Sequence, residues 1–512
     1  MDISSLHLIL ATAISLLAPF ILLLLKICTG PKRAENLPPG PKKLPLIGNL
    51  HQMGSLPFRS LRDLSRQHGP IMHLMLGQVP AIVVSSPALT KQFLKDNDPC
   101  FADRPQSIVV EIMWYNYSNL AFSPYGDYWR QMRKICILEL LSAKNVRSFA
   151  SIRAEEMARI LQSIRASAGK PVNLTDKVFS LISSITCRAA FGKVCKDKDG
   201  LVGLLRSGLK LADGLVVADL YPSSRVVRAL SWSRRRLVAM RRKIDTILDE
   251  IIREHEENLK KMKSDLGERR GNGEFGNEDL VDVLSRVMES GEIQFPIGND
   301  NIKAVILDMF SAGTETSSSL IDWTMAELMR NPRVMAKAQA EIRQAFQGKD
   351  QEFDEHDVTH KLKYLKLVIK ESMRLHPPVP ILPRASREER VIGGYTIPAK
   401  VRVMVNTWAM QRDPECWKDP ESFVPERFEE GGPDFVGGDF EYLPFGTGRR
   451  MCPGMTFGLA SVELPVAWLL YSFDWKLPEG VREEDLDMIE NPGITASRKE
   501  ELFVVPTPYQ PS

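Results

Sequence analysis

Residues 445–454 (FGTGRRMCPG) place one cysteine among glycines, arginines and an aromatic residue. Gly448 and Gly454 allow a tight turn in which backbone N–H groups can approach the sulfur of Cys452. Phe445 can cover that sulfur and exclude water, and Arg450 supplies a cation for an acidic group of a cofactor. A lone cysteine is more often a small buried hydrophobe, but these neighbours favour a metal ligand. The segment therefore predicts that Cys452 binds the iron of a haem through its thiolate.

The nature of this axial ligand limits the chemistry that we expect. A thiolate pushes electron density onto the iron and favours cleavage of the O–O bond of bound oxygen. An axial histidine or methionine suits oxygen carriage or electron transfer instead. Cys452 therefore predicts an enzyme that activates oxygen, with haem b as its cofactor and with Arg450 and Phe445 as haem contacts.

The composition excludes several other classes of protein. The 67 basic and 64 acidic residues give a net charge of +3, whereas a dedicated nucleic-acid binder would have a strong basic excess. The seven cysteines are odd in number and scattered, which indicates a reducing compartment rather than a disulfide framework. The sequence contains no internal repeat and no second domain boundary. We expect residues 46–512 to form one large domain.

The N-terminus predicts a membrane anchor. Residues 8–25 form an almost uninterrupted apolar run, which as a helix would span about 27 Å. Basic residues follow the run and none precedes it, so the positive-inside rule places the rest of the chain in the cytosol. A cleaved signal peptide would need a basic start and a small-residue cleavage site, both absent. We expect a single-pass anchor at residues 1–26 and a basic, proline-rich hinge at residues 27–45.

Hydrophobic periodicity predicts a mostly helical domain with short strands. Residues 71–76 and 81–85 predict one hairpin, and residues 391–406 predict a second. Residues 301–330 predict a long helix that ends before Pro332. Residues 259–277 contain too few apolar side chains to pack, and predict a mobile surface loop.

The long helix carries a second group of candidate residues, the sequence AGTET at residues 312–316. A threonine can bond back to the carbonyl one turn earlier, which opens the helix into a polar notch. Thr316 is the candidate proton donor to bound oxygen, and Glu315 the acid that resupplies protons from solvent. These residues alone leave open a second interpretation, a solvated helix face rich in serine and threonine.

Several stretches together resemble the cytochrome P-450 superfamily, and most closely the plant A-type enzymes of family 71. Besides the cysteine segment, they are residues 37–41 (LPPGP), 123–130 (SPYGDYWR), 312–317 (AGTETS), 371–374 (ESMR) and 425–428 (PERF). The resemblance covers nearly the whole chain. It implies a mainly α fold with small β-sheets, preceded here by a transmembrane helix, and monooxygenase activity in specialised metabolism.

The resemblance also implies roles for single residues. Trp129 and Arg133, which share a helix face, would clasp a haem propionate. Arg104 and Arg384 match further propionate-contacting positions of the family, beside Arg450 in the cysteine segment. Without the resemblance, each would be interpreted as an ordinary surface arginine.

Of two other sequence patterns, we interpret one as structural and assign no function to the second. Glu371 and Arg374 would form an intrahelical pair that Arg427 completes, as in the structural triad of the family. His356 and His360 have the spacing of a metal-binding pair but lack the glutamate of a zincin, so we assign no metal to them.

The resemblance implies the partners of the reaction. One oxygen atom from O2 would enter a small lipophilic molecule, with NADPH electrons delivered by a flavin-containing cytochrome P-450 reductase, since no flavin segment fits within this length. Arg130, Lys134 and Arg449 are candidate contacts for its acidic surface. The anchor would place the enzyme in the endoplasmic reticulum membrane, facing the cytosol. The basic run at residues 234–236 follows apolar residues that either dip into the bilayer surface or form a solvated face.

The substrate class is less constrained. The resemblance favours a plant terpenoid, and alkaloids and phenylpropanoids remain open. The segments expected to face the substrate are residues 106–116, 302–309, 379–382 and 491–497, with Glu111 and Asp308 as polar exceptions. A hydroperoxide isomerase or dehydratase is a remote alternative, because such enzymes usually lack the acid–threonine pair. A non-enzymatic haem sensor is another, and turnover with NADPH and reductase would distinguish it.

Overall fold

The computed structural model is mainly helical with small sheets. It describes residues 36–194, 198–211, 216–225, 227, 231–265, 278–290, 295, 297–347, 355–429, 431–436 and 438–510. The predicted anchor at residues 1–26 and residues 27–35 of the predicted hinge lie outside these ranges. Among the described helices, Met455–Ser472 is long and apolar enough to span a membrane, but two thirds of it is buried inside the protein.

The helices are bounded as follows. They are α1 (Pro57–His68), α2 (Pro87–Lys91), α3 (Ile108–Met113), α4 (Asp127–Ile135), α5 (Ala143–Ser148), α6 (Ala150–Arg165), α7 (Leu174–Phe191), α8 (Lys198–Leu211), α9 (Val217–Leu220), α10 (Trp232–Asp265), α11 (Leu280–Ser290), α12 (Asn299–Arg330), α13 (Pro332–Ala345), α14 (Glu355–Lys361), α15 (Lys363–Leu375), α16 (Thr407–Met410) and α17 (Met455–Ser472). Short 3-10 turns cover Leu50–Gln52, Asp98–Phe101, Pro425–Phe428, Gly448–Arg450 and Glu483–Asp485, and π-helical turns cover Gln92–Asp96 and Cys136–Leu140.

The strands form small sheets. They are β1 (Ile71–Leu76), β2 (Val79–Val84), β3 (Val172–Asn173), β4 (Leu382–Ala385), β5 (Arg390–Ile392), β6 (Tyr395–Ile397), β7 (Arg402–Val405), β8 (Phe473–Lys476) and β9 (Phe503–Pro508). The strand orders are β1-β2-β7-β4, β3-β9-β8 and β5-β6.

The first predicted hairpin is confirmed. Strands β1 and β2 pair antiparallel, with Ile71 opposite Val84. The turn between them requires Gly77, whose φ is +61° and whose missing Cβ would lie 2.7 Å from the carbonyl oxygen of Leu220. This close approach fixes helix α9 against the edge of the sheet.

The second predicted hairpin is only partly right. Strands β5 and β6 form a hairpin around Gly393 and Gly394, but β7 leaves it and pairs parallel with β2. Val403 and Val405 are fully buried, so β7 is stable in the middle of a four-stranded sheet and not at the edge of a hairpin. Strand β4 pairs with its other side and orients the buried Arg384.

Helix α12 runs through the centre of the protein. It begins after Gly298 and ends at Arg330, followed by the capping residue Asn331, because Pro332 opens the next helix. This confirms the long helix predicted at residues 301–330. Its buried residues belong to two hydrophobic clusters, one shared with α6, α7, α15 and α17 and one shared with α3, α10 and α11. The middle of α12 is therefore held from both sides.

The predicted loop at residues 259–277 is wrong at its start. Helix α10 continues to Asp265, and residues 266–277 lie outside the described ranges. The apolar face of α10 ends near Ile252, but charged pairs such as Arg253–Glu257, 2.8 Å apart, stabilise the helix beyond it.

The predicted triad is confirmed. The carboxylate of Glu371 accepts from Arg374 at 2.7 and 2.9 Å and from Arg427 Nε at 3.0 Å, and both Glu371 and Arg374 are fully buried. Arg374 also donates to the carbonyl oxygens of Gln411, Pro420 and Ser422. A buried ion pair with all its donors satisfied anchors this part of the fold and is not available for catalysis.

Candidate functional site

The cysteine segment folds into a turn that requires glycine. Gly448 has a φ of +70°, and a Cβ at this position would lie 2.5 Å from the carbonyl oxygen of Leu94. The next residue, Arg449, donates its backbone N–H to Asp98 Oδ2 at 2.8 Å. The N–H of Cys452 then donates to the carbonyl of Phe445 at 2.9 Å and closes the loop.

This loop points the thiol of Cys452 into an internal cavity, where the side chain is accessible. Burial among protein atoms raises the pKa of the Cys452 thiol, while the N–H of Gly454 and the charge of Arg133 lower it. The ring of Phe445 lines the same cavity and packs edge-on against Phe435, with centroids 5.2 Å apart. The sulfur therefore lies near an aromatic ring and beside donors that stabilise a thiolate once a metal ion displaces the proton.

The cavity has a volume of about 610 Å³ and lies between the cysteine segment and α12. Helix α12 lines it with Met309, Ala312, Gly313, Thr316 and Ser317. Space is limited at Gly313, because a Cβ would lie 3.3 Å from Thr186 of α7 and 3.5 Å from Phe457 of α17. The glycine thus lets three helices converge at the wall of the cavity.

The structure separates the two residues of the predicted proton relay. Thr316 lines the cavity, and its Oγ1 donates to the carbonyl oxygen of Ala312 at 2.6 Å, the back-bond expected from the sequence. Among the described residues, Glu315 does not line this cavity. Its carboxylate accepts from Arg206 Nε of α8 at 3.2 Å, on a neighbouring face of α12.

The basic residues assigned by resemblance converge at one side of the cavity. Arg104, Arg133, Arg384 and Arg450 line it together with Trp129, whose ring lies 4.3 Å from the Arg450 guanidinium carbon and 5.3 Å from that of Arg133. They come from separate parts of the chain: the loop after Phe101, helix α4, strand β4 and the cysteine segment.

These guanidinium groups repel one another in a buried place. Burial, and then the charge of Arg384, lowers the pKa of Arg450 to about 9 and that of Arg104 well below its ordinary value. Burial lowers the pKa of Arg384 to about 10, and within the described part of the chain its Nε has no hydrogen-bond partner. A cavity with a thiol on one wall and crowded, incompletely satisfied arginines at its side fits a haem with two carboxylate groups.

Backbone carbonyl oxygens orient the members of this cluster. Trp129 Nε1 donates to Leu120 at 3.0 Å, and Arg133 donates to Met451 at 2.6 Å. Arg104 donates to Ala121 at 3.0 Å and to Pro383. Arg450 donates to Ala102 at 2.7 Å, to Leu120 at 3.3 Å and to Ser123. These hydrogen bonds fix the orientation of the arginine side chains, and they also connect the loops to which the carbonyl groups belong.

All the predicted site residues except Glu315 therefore line one cavity. Of the segments expected to face the substrate, Asp308, Met309, Val379 and Leu382 do so, whereas residues 106–116 and 491–497 are absent from the described lining. Sequence reasoning missed Thr186, Ala189 and Phe457, which carry no chemical signal and are recognised only by their position.

Comparison with known proteins agrees with this geometry. The sequence model of the cytochrome P450 family matches residues 38–503. Premnaspirodiene oxygenase of Hyoscyamus muticus is 54% identical over 502 residues, 98% of each chain. The 5-epiaristolochene 1,3-dihydroxylase of Nicotiana tabacum is 53% identical over 504 residues, again 98% of each. A solved zebra fish cytochrome P450, determined with abiraterone, has a TM-score of 0.72 at 25% identity and covers 89% of this chain and 100% of its own.

Proposed function

The chain belongs to the cytochrome P450 family, and on that premise we propose that it oxygenates a small terpene hydrocarbon or terpenoid with electrons delivered by a separate NADPH-dependent reductase. The relatives described above are monooxygenases, and this chain is an enzyme of the same class. The observation that carries the proposal is the cavity shared by Cys452, Thr316 and the arginine cluster.

Cys452 is the residue that would hold the haem iron, and Arg104, Arg133, Arg384 and Arg450 would hold the propionates. When bound, a haem with a thiolate ligand supplies reductive activation of O2. The protein contributes a dry pocket around the sulfur through Phe445 and buried cations of fixed orientation around the carboxylates.

Thr316 is suited to bind a water molecule in the cavity that it lines. Its hydroxyl donates to the Ala312 carbonyl, which leaves its lone pairs free to accept from a water molecule in the cavity. Glu315 is only 16% exposed and is paired with Arg206, so proton supply from this acid requires the ion pair to open or a water molecule to bridge it.

The lining supports an apolar substrate. Leu120, Ala121, Met309, Val379 and Leu382 line the cavity. The carboxylate of Asp308 is already engaged by protein donors, so it does not select a polar group of the substrate. The names of the two plant relatives each specify a terpene as the molecule oxidised. We therefore favour a terpene of similar size.

An exposed basic surface beside the cysteine segment supports docking of an acidic reductase. Arg130 and Arg449 are about half exposed, and with Arg387 they surround the ring of Tyr125 at 5.4 to 5.6 Å. Charged groups of this kind accelerate association with a partner of opposite charge. A single-pass anchor at residues 1–26 in the endoplasmic reticulum membrane would hold both proteins on the cytosolic side.

The test is turnover of a defined panel of substrates. The full chain, co-expressed with a plant cytochrome P450 reductase, receives NADPH and separate sesquiterpene, diterpene, indole alkaloid and phenylpropanoid scaffolds. We expect mass spectrometry to detect a product 16 Da heavier from at least one terpene. Products from alkaloids or phenylpropanoids alone would overturn the terpenoid assignment, and oxygenation without NADPH and reductase would overturn the electron source.

A further inference from the structure

Asp308 is a buried carboxylate that the proposed reaction does not use. It lies one turn before Ala312 on α12, is 6% exposed, and lines the cavity. Its oxygens accept from Asn119 Nδ2 and from the backbone N–H of Ala121, both at 2.7 Å. Asp308 therefore binds the loop at residues 119–121 to the central helix.

The loop held by Asp308 orients the arginine cluster. The peptide unit joining Leu120 to Ala121 donates its N–H to Asp308, and its carbonyl accepts from Trp129 and Arg450. A peptide unit is planar, so fixing its N–H also fixes the direction of its carbonyl. One rigid unit thus connects Asp308 to two residues proposed to bind haem propionates. The next carbonyl along the loop, of Ala121, accepts from Arg104 Nε at 3.0 Å.

The segment before this loop is held in an unfavourable conformation. Tyr115, Asn116 and Tyr117 have φ values of 52°, 54° and 63°, a run of left-handed residues without glycine. Such residues persist only where surrounding contacts over-determine them. Tyr115 donates to Asp245 at 2.6 Å, and Asp308 holds the other end of the segment. Without Asp308, we expect residues 119–121 to relax away from the cluster.

Asp308 also supplies charge. Its negative charge favours the cationic form of Arg104, whereas Arg384, Arg450 and Arg133 oppose it. Asp308 therefore offsets part of the positive field around the site where the propionates would lie.

We propose that Asp308 is a positioning residue for the haem site: it fixes the peptide unit between Leu120 and Ala121, and through it the geometry and net charge of the propionate-binding cluster. This inference depends on the proposed haem site. The role is separable into a hydrogen-bond part and a charge part, which different substitutions remove.

The variants are chosen to separate these parts. Asp308→Asn removes the charge, but its carbonyl can still accept from Ala121. If the side-chain amide of Asn119 turns over, its Oδ1, which has no partner among the described residues, can accept from the new amide. Asp308→Ala removes both parts. Asp322→Asn is the matched control, because Asp322 is buried on the same helix, burial raises its pKa to about 6 as for Asp308, and it bonds Thr175 away from the cavity.

Three properties of the haem-loaded full chain are measured: the spectrum of the reduced carbon-monoxide complex, the midpoint potential, and the rate of haem transfer to apomyoglobin. For Asp308→Asn we expect a more positive potential with haem loss close to the wild-type rate. For Asp308→Ala we expect haem loss faster by on the order of tenfold, because buried donors are left unsatisfied. Asp322→Asn should match the wild type in midpoint potential and in the rate of haem loss.

The outcomes separate the two proposals. A wild-type chain without the red-shifted carbon-monoxide band would overturn the haem site itself. A normal wild-type band, with both Asp308 variants indistinguishable from Asp322→Asn, would overturn only the role of Asp308. If Asp308→Ala does not fold, Asn119→Ala removes one donor and leaves the charge, and should accelerate haem loss without moving the potential. Unchanged haem loss in that variant would then overturn the hydrogen-bond part.

Discussion

The position of Cys452 and the pKa of its thiol depend on residues that precede and follow it in the chain. Its N–H closes a loop onto Phe445, and Gly448 makes the turn between them at a φ that other residues rarely adopt. The N–H of Gly454 lowers the pKa of the thiol, against the effect of burial. These contacts place an ionisable sulfur at the wall of the cavity, where a metal ion can reach it.

The first prediction concerns this ligand. Cys452→Ser should abolish the red-shifted Soret band of the reduced carbon-monoxide complex, because that band requires a thiolate opposite the gas. Cys416→Ser is the control, since Cys416 is an exposed cysteine outside the cavity. Difference spectra of both variants are compared at equal protein concentration. Persistence of the band in Cys452→Ser would show that another residue binds the iron.

The second prediction concerns Thr316. Thr316→Ala should keep haem and NADPH consumption but divert electrons to hydrogen peroxide, because a positioned proton donor is lost. Such losses typically cost about 10²- to 10⁴-fold in the step that the donor serves. Product and peroxide are measured per NADPH consumed. Thr324→Ala is the control, because Thr324 makes the same back-bond on α12, at 2.7 Å to Leu320, outside the described cavity lining. Wild-type coupling in Thr316→Ala would place the proton path elsewhere.

At the scale of elements, the close packing of α7 and α17 against α12 limits the size of the side chain that can replace Gly313. The third prediction is that Gly313→Leu destabilises the protein by about 1–3 kcal/mol, because the added atoms would displace Thr186 or Phe457. Gly203→Leu on α8 is the control, since among the described residues nothing lies within 4 Å of a Cβ there. Urea unfolding of both variants measures the difference. Equal stabilities would mean that α7 and α17 can move apart without cost.

A buried histidine joins α10 to the start of α11. His255 Nδ1 bonds the Ile251 carbonyl, and Nε2 bonds Asp279 at 2.8 Å, with Asp282 adjacent. Burial lowers the pKa of His255, but the hydrogen bond and charge of Asp279 outweigh it and raise the pKa above 6.5. A raised histidine pKa means that this stabilisation is complete below pH 6.5 and is lost as the pH rises through the folded-state pKa.

The fourth prediction follows from the raised pKa of His255. His255→Gln should lower the stability more at pH 6 than at pH 9 relative to wild type, because the charged pair exists only at the lower pH. Thermal unfolding at both pH values measures the difference. His51→Gln, at an exposed histidine, is the control. A loss independent of pH would indicate that His255 contributes packing and a neutral hydrogen bond alone.

At the scale of the whole molecule, the two large hydrophobic clusters lie far along the chain from the apolar N-terminus. Within the described part of the chain, both large hydrophobic clusters are built from residues 108–504. The fifth prediction is that deletion of residues 1–25 leaves a protein that binds haem and unfolds cooperatively, with reduced sedimentation alongside membranes. The intact chain, expressed and fractionated in parallel, is the reference. Failure of the shortened chain to incorporate haem would assign the segment to the fold.

Features governed by neighbours in the chain could be predicted from the sequence. The turn at Gly448, the end of α12 at Pro332, the back-bond of Thr316 and the hairpin β1–β2 each depend on residues within a few positions of one another. The physical requirements are local: a positive φ, a missing N–H, a hydroxyl one turn from a carbonyl. For the same reason, the sequence also predicts Cys452 as the thiolate ligand, and with it the class of chemistry.

Features that depend on packing between distant segments were decided only by the tertiary structure. The sequence marks Arg104, Arg133, Arg384 and Arg450 by resemblance, but their mutual repulsion exists only because four separate segments meet at one cavity. The pairing of Glu315 with Arg206 and the burial of β7 beside β2 arise in the same way. Such contacts form because burying apolar surface fixes where distant segments meet, and the polar groups then pair with whatever lies beside them.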